Sequence, residues 1–400
     1  KKCKFFFKCL PFPKSKFYVR EDNLRGDDER GIASKTLPFI HDRMAESLYL
    51  TARSSFTSGQ EFPAATNGDR QPSKVSLAAP QSALKFMSVG YDSKYPSLIT
   101  GSSSVNSRGF SKLQLLSLFG SEWRVENAAE VRGGVTDIAT GESFAVVATS
   151  AGLLNFAVVG IMPDGSKSLN VTKSWSPPRS LEGKGATSGL DIFQGSGRVV
   201  AVSETGSIDM CQIGNSEFSN PICNTTPNCT AYNDVTFMTN PNSFVVVGDR
   251  PTGQIEVWDV AASCDRPQLT FTHDNHSRVR QNCVARHPAR NEILATGSSE
   301  GSVSIWDLRK GDTPFVKMQE AHAGDVWSLR FHTQDPGTIV SVGEDGNAFR
   351  WSYVGAGEKT PERFTHSPLF GGASQQIVGN HGSPANSVDI DGMTDAVAVA

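Results

Sequence analysis

Short apolar runs recur along this chain, some alternating and some continuous, and most end in a turn that contains Gly. The clearest stretch is Asn291 to Tyr353, which holds two copies of one pattern. An apolar strand (Ile293 to Thr296, then Ile339 to Val342) leads into a tight turn (Glu300-Gly301, then Asp345-Gly346). Five residues after each Gly stands a Trp, Trp306 and then Trp351. Between the copies, Asp325-Val326-Trp327-Ser328-Leu329-Arg330-Phe331 alternates as a half-buried strand does. Four short strands recurring at about forty-odd residues make one blade of a propeller.

Fainter copies lie upstream. They span about Ala83 to Leu118, Gly134 to Gly160, Thr187 to Ile213 and Tyr232 to Val260. Leu116, Ala157, Cys211 and Trp258 hold the Trp position in turn. The spacing drifts because loops tolerate insertions and strands do not. The longest insertion, Ser174 to Gly185, reads as loop. So does the Gly/Pro/Ser/Gln-rich stretch from Tyr353 to Gly382. Asn386 to Ile390 and Thr394 to Ala400 then read as the first two strands of a further blade. With Trp258-Asp259 and Trp306-Asp307 as signature dipeptides, the pattern resembles WD40 repeats. The fold expected is all-β: a seven-bladed WD40 β-propeller over residues 73–400, its last blade incomplete. Such rings close by letting an N-terminal strand complete the last blade, which hides two exposed sheet edges. Lys74 to Ala79 is the candidate closing strand.

Residues 1–72 do not share the pattern. The first twenty carry seven Lys or Arg and no acid, then come a mixed-charge run and a Ser/Thr/Gly/Pro-rich stretch. This segment is expected to be a poorly ordered extension. Lys8 interrupts its only apolar patch and no cleavage-site residues follow, so a signal peptide is not expected. No apolar run in the chain is long enough to span a bilayer.

The 400 residues are 20% charged and 38% hydrophobic, a globular balance. A net charge of -3 argues against a general nucleic-acid binder, which needs a basic face. The 7 cysteines show no CxxC pair, which fits reduced thiols in an intracellular protein. The glycosylation sequons at Asn170, Asn224, Asn228 and Asn275 then carry no function.

Several constellations invite chemistry. His322, Ser341, Asp345 and Trp351 match the buried hydrogen-bond tetrad of WD repeats, in which Asp orients the imidazole, the imidazole bonds the Ser hydroxyl, and that hydroxyl takes the indole N–H. A hydrolytic triad would use the same residue types, but the spacing here is that of the repeat. Gly297-Ser298-Ser299-Glu300-Gly301 has the form of a nucleophile elbow, yet a strand follows it where that motif needs a helix. Cys264, His273, His276 and Cys283 fit no common zinc spacing. Hydrolytic propellers gather acids, His or metal ligands at the central channel, and no such set is evident. No cofactor, metal or small-molecule substrate is expected. Arg309, after Trp306-Asp307-Leu308, has two readings: an Arg that pairs locally, or part of the WDxR box by which some propellers dock on the adaptor of cullin ubiquitin ligases.

Wider text carries a closer resemblance. Cys283-Val284-Ala285-Arg286-His287-Pro288, Ala295-Thr296-Gly297, Ser304-Ile305-Trp306-Asp307, Lys317 to His322, Val326-Trp327, Phe331-His332 and Gly343-Glu344-Asp345-Gly346 together resemble the forty-three-kilodalton WD-repeat nucleoporin family of the nuclear pore's Y-shaped outer-ring complex. The likeness is good from about Tyr232 to Tyr353, faint from Ala83 to Ile213 and absent before Lys74. It implies a non-enzymatic scaffold at the nuclear envelope, docked on other outer-ring nucleoporins through a helical-solenoid subunit. Pore assembly, transport of mRNA and protein, and a kinetochore role in mitosis would follow. A substrate receptor of a cullin-type ubiquitin ligase is the alternative.

Overall fold

The computed structural model describes residues 81–400 apart from 88, 90–95, 120–121, 178–184, 215–216, 226–229, 250–253, 273–278, 311–312, 315, 353–372, 379–383 and 392–396. Before residue 81 it describes three strands: β1 (Cys3–Pro11), β2 (Glu46–Ser54) and β3 (Lys74–Leu77). The described residues contain strands and no helix.

Six antiparallel sheets follow one another along the chain, each a blade. The first has β4 (Gln81–Met87), β5 (Ser97–Ser102), β6 (Phe110–Phe119) and β7 (Glu122–Arg132). The second has β8 (Val135–Gly141), β9 (Phe144–Thr149), β10 (Leu154–Ile161) and β11 (Lys167–Trp175). The third has β12 (Thr187–Phe193), β13 (Arg198–Ser203), β14 (Ile208–Gly214), β15 (Glu217–Phe218) and β16 (Cys223–Thr225). The fourth has β17 (Tyr232–Phe237), β18 (Ser243–Gly248), β19 (Gln254–Asp259) and β20 (Leu269–Thr272). The fifth has β21 (Gln281–Arg286), β22 (Ile293–Ser298), β23 (Val303–Asp307) and β24 (Val316–Met318). The sixth has β25 (Val326–Phe331), β26 (Thr338–Gly343), β27 (Ala348–Ser352) and β28 (Ala373–Val378). Strand β28 corrects the sequence reading, which took Tyr353 to Gly382 as loop throughout. Its composition hides it: Gln375 and Gln376 interrupt the apolar pattern.

A further sheet runs β29-β30-β2-β1-β3, where β29 is Val388–Ile390 and β30 is Val397–Val399. Here β30 pairs in parallel with β2, and β3 stands at the far edge, paired with β1. The strand proposed to close the ring, Lys74 to Ala79, thus joins the sheet of the C-terminal strands without touching β30. The first strand of each sheet neighbours the first strand of the next, from β4 round to β29, and β29 lies beside β4.

Burial explains the sequence periods. The second strands (FAVVAT, RVVAVS, FVVVG) are apolar on both faces because a neighbouring blade covers each side. Each hydrophobic cluster is shared between two blades. Ala157 packs with Leu113 and Leu115 of the blade before it, and Trp306 with Val245 and Val247. Burying one such aliphatic side chain stabilises by about 1.5–3 kcal/mol. The Trp positions face these seams: Leu116, Ala157, Cys211 and Trp258 are fully buried. Small residues there leave less volume to fill, which is why blades one to three carry the fainter signature. Gly301 (φ 73) and Gly346 (φ 70) turn the chain between second and third strands in the left-handed region that side chains avoid.

Candidate functional site

Blade six carries the polar group expected from its spacing. His322 Nδ1 lies 3.0 Å from Asp345 Oδ1, and its Nε2 lies 2.8 Å from Ser341 Oγ. Trp351 Nε1–H donates to the same hydroxyl at 2.8 Å. Asp345 also accepts the backbone N–H groups of Ala323 and Asn347, which fixes the turn. Burial holds the His322 imidazole below its ordinary pKa, partly offset by Asp345. A neutral ring that donates from Nδ1 to the carboxylate and accepts the Ser341 hydroxyl at Nε2 satisfies every one of these contacts.

Other blades solve the same problem differently. Trp306 Nε1–H donates to Thr296 Oγ1 at 2.9 Å. Trp258 Nε1–H donates to Glu256 Oε2 at 3.1 Å, and Tyr232 O–H to the same oxygen at 2.8 Å. Asp259 and Asp307 each accept a backbone N–H two residues on, from Ala261 and Arg309. Arg309 forks onto Asp307, Nε to Oδ1 and an Nη to Oδ2, both at 2.9 Å, and reaches Glu292 at 3.3 Å. Its side chain is 58% exposed. The Ser of the elbow-like run, Ser299, accepts the backbone N–H of Arg280 between two strands. Cys264 contacts Cys223, while Cys283 Sγ faces Val326 O across a blade seam. His273 and His276 lie outside the described residues. Among the described residues no group of three or more His, Cys, Asp or Glu could hold a metal, and no helix is long and apolar enough to cross a membrane.

The channel corrects one expectation. Acids do gather there: Asp137, Asp191, Asp234 and Asp389 stand on inner strands, with Lys85 and Arg330 among them. The sequence signal was available, since each Asp precedes Ile or Val in a first strand. Each carboxylate accepts a backbone N–H from the next blade. Asp137 takes Leu190 at 2.9 Å, Asp191 takes Phe237 at 2.8 Å, Asp234 takes Val284 at 2.9 Å and Asp389 takes Phe86 at 2.9 Å. The first three also accept the N–H of the residue that follows them. Lys85 Nζ lies 3.6 Å and Arg330 Nε 3.8 Å from Asp389. Arg330 lines the cavities at both mouths. Burial raises the Asp137 carboxyl and lifts that of Asp234 to about 7, helped by repulsion from Asp137. Backbone donors of the neighbouring blade thus engage all four acids.

A second device sits at the start of the inner strands. Ser82, Thr136, Ser188, Asn233, Asn282 and Trp327 each occupy a bulge. Ser82 donates to Val135 O at 2.6 Å, Ser188 to Tyr232 O at 2.5 Å and Asn233 to Gln281 O at 3.0 Å, each the first residue of the next inner strand. Trp327 departs from this small polar series and is 38% exposed.

Comparison with known proteins adds the family text. Residues 265–307 match the model of the WD domain, G-beta repeat. Human nucleoporin Nup43 is 28% identical over 255 residues, 62% of this chain and 63% of that protein. Mouse nucleoporin Nup43 is 32% identical over 184 residues, 45% of this chain and 44% of that protein. The chain thus carries a match to a WD repeat and is similar to the nucleoporin Nup43. The matches span less than two thirds of these relatives' own length. In shape, a chain from the COPII outer coat vertex on membranes superposes with TM-score 0.56 at 17% identity, over 69% of this chain and 75% of that one. That likeness concerns the propeller fold alone.

Proposed function

We propose that this protein is a non-enzymatic scaffold subunit of the nuclear pore's outer ring. It supports pore assembly and nucleocytoplasmic transport of mRNA and protein by docking on a helical-solenoid nucleoporin, and it localises to the nuclear envelope, with a kinetochore role in mitosis. The similarity to Nup43 carries this reading. One observation supports it: each of the four channel carboxylates accepts a backbone N–H of the next blade. The sheet of β29, β30, β2, β1 and β3 is proposed as the seventh blade. The tetrad of His322, Ser341, Asp345 and Trp351, with the dipeptides at Trp258-Asp259 and Trp306-Asp307, is proposed to fasten blades rather than to catalyse.

Arg309 is engaged by Asp307 and Glu292, which favours the scaffold over the ubiquitin-ligase receptor. Proximity labelling in cells tests the choice. The scaffold reading requires a nuclear-rim pattern rich in outer-ring nucleoporins. A diffuse cytosolic pattern with the cullin adaptor and no nucleoporins would sink it.

A further inference from the structure

The two mouths of the channel differ. At the mouth where the inner strands begin, the cavity holds only about 80 Å³. At the mouth where they end, it holds about 430 Å³, within the range of pockets that take a peptide side chain or small ligand. This larger cavity is lined by apolar residues, Leu190, Phe193, Phe237 and Phe331, together with polar ones such as Thr140, Gln194, Thr236 and Thr239. Its floor is Arg330 with Asp389 and Lys85, already in contact with one another. Asp191, on the wall, accepts the N–H groups of Ile192 and Phe237 and the Thr236 hydroxyl.

One charge in the cavity is uncommitted. Arg286, the last residue of β21, lines it, and its guanidinium forms no hydrogen bond or ion pair with any described residue. Its register position is also out of series. Arg286 stands opposite Leu294; the matching position in blade two, opposite Ala145, holds Thr140, and those opposite Leu98, Val199, Phe244 and Ile339 hold Phe86, Ile192, Phe237 and Phe331. The last four are buried apolar packing. A half-buried guanidinium at that place keeps its fork of donors open, shaped for a carboxylate.

We propose that this mouth is a docking site for a partner protein, which inserts an acidic side chain to be forked by Arg286. The inference rests on the scaffold reading only in naming a protein as the occupant. Binding by the purified full chain tests it, using a fluorescent peptide with one Glu between leucines, its Gln counterpart, and free glutarate. The Glu peptide should bind at least about tenfold more tightly than the Gln peptide, and Arg286→Gln should erase the difference. Arg286→Lys, which keeps charge but not the fork, should fall between. Trp327→Ala, at the other mouth, should change nothing. Melting curves confirm that each variant is folded. Equal binding of the two peptides, an unaffected Arg286→Gln, or glutarate binding as tightly as the Glu peptide would each overturn the proposal. These results are separate from the cellular labelling: rim localisation with failed peptides removes the docking site and leaves the scaffold, whereas selective peptides with cytosolic labelling do the reverse.

Discussion

Asp389 accepts the backbone N–H of Phe86 at 2.9 Å across 303 residues of chain. It joins the last inner strand to the first, by the bond that Asp137, Asp191 and Asp234 make further round the ring. Ser387 adds a weaker contact to Leu84 N at 3.4 Å. The ends of an open ring would expose unpaired donors and acceptors; here a carboxylate with two cations beside it covers the junction.

Asp389→Ala should therefore destabilise the full chain by about 1–3 kcal/mol in urea denaturation, because it removes an acceptor and leaves the buried Phe86 N–H without its partner. Asp389→Asn keeps an acceptor oxygen and should cost less. A loss under about 0.5 kcal/mol for the Ala variant would show that the junction does not depend on this bond.

Ser341 is the shared centre of the blade-six group. Ser341→Ala deprives both His322 Nε2 and Trp351 Nε1 of their partner in a buried site. The expected cost is about 1–3 kcal/mol. Combining it with His322→Phe should cost less than the sum, since the two changes remove one network. Full additivity would mean that the four residues do not act as a unit.

The pH response has a predictable sign. Burial, with Arg290 close by, lowers His287 from 6.5 to about 4, and burial also lowers His322. His287 Nδ1 accepts the N–H groups of Ala289 and Arg290, which needs the unprotonated nitrogen. At these two imidazoles the unfolded chain binds more protons than the folded one in this window, so their contribution to stability rises with pH. The contribution is complete above pH 6.5 and is lost as pH falls towards about 4. Replacing His287 by Asn should make the urea midpoint rise less with pH, or fall more, between these limits than it does in the parent. An unchanged slope would refute the assignment.

Asp234 runs the other way. Burial and then the Asp137 charge raise its carboxyl from 3.8 to about 7. Stability from this group is complete below the unfolded value and is lost as pH rises through the folded one. Carboxyl carbon NMR should show Asp234 titrating near neutrality, and Asp137→Asn should move the midpoint down. A midpoint at the ordinary carboxylate value would show that solvent reaches the channel freely.

Arg309→Ala should leave the melting temperature within about 2 °C of the parent and leave nuclear-rim labelling intact, because exposed ion pairs contribute little. Loss of cullin-adaptor binding without loss of the rim would instead revive the docking-box reading of this residue.

Much of the blade grammar was legible. The apolar second strands, the Gly turns and the Trp positions are local patterns, and local patterns are what periodicity reports. His322, Ser341, Asp345 and Trp351 could be grouped because the repeat fixes their spacing. The weak blades were harder: Ala157 and Cys211 do the packing of a Trp with less volume, so only their register identifies them. Strand β28 was missed because hydrogen bonding to β27 defines it while Ser374, Gln375 and Gln376 break its apolar pattern.

The sequence by itself determined the all-β class, the repeat and the spacing of His322, Ser341, Asp345 and Trp351, since all of these are written in short spacings. Tertiary structure decided what the channel is. Asp137, Asp191, Asp234 and Asp389 are lone acids in separate strands until the ring brings each against the next blade's backbone. Arg286 is one more basic residue until the same closure leaves it facing a cavity with no partner among the described residues. A spacing rule sees neighbours along the chain; these contacts join residues dozens to hundreds of positions apart, and only the closed ring places them together.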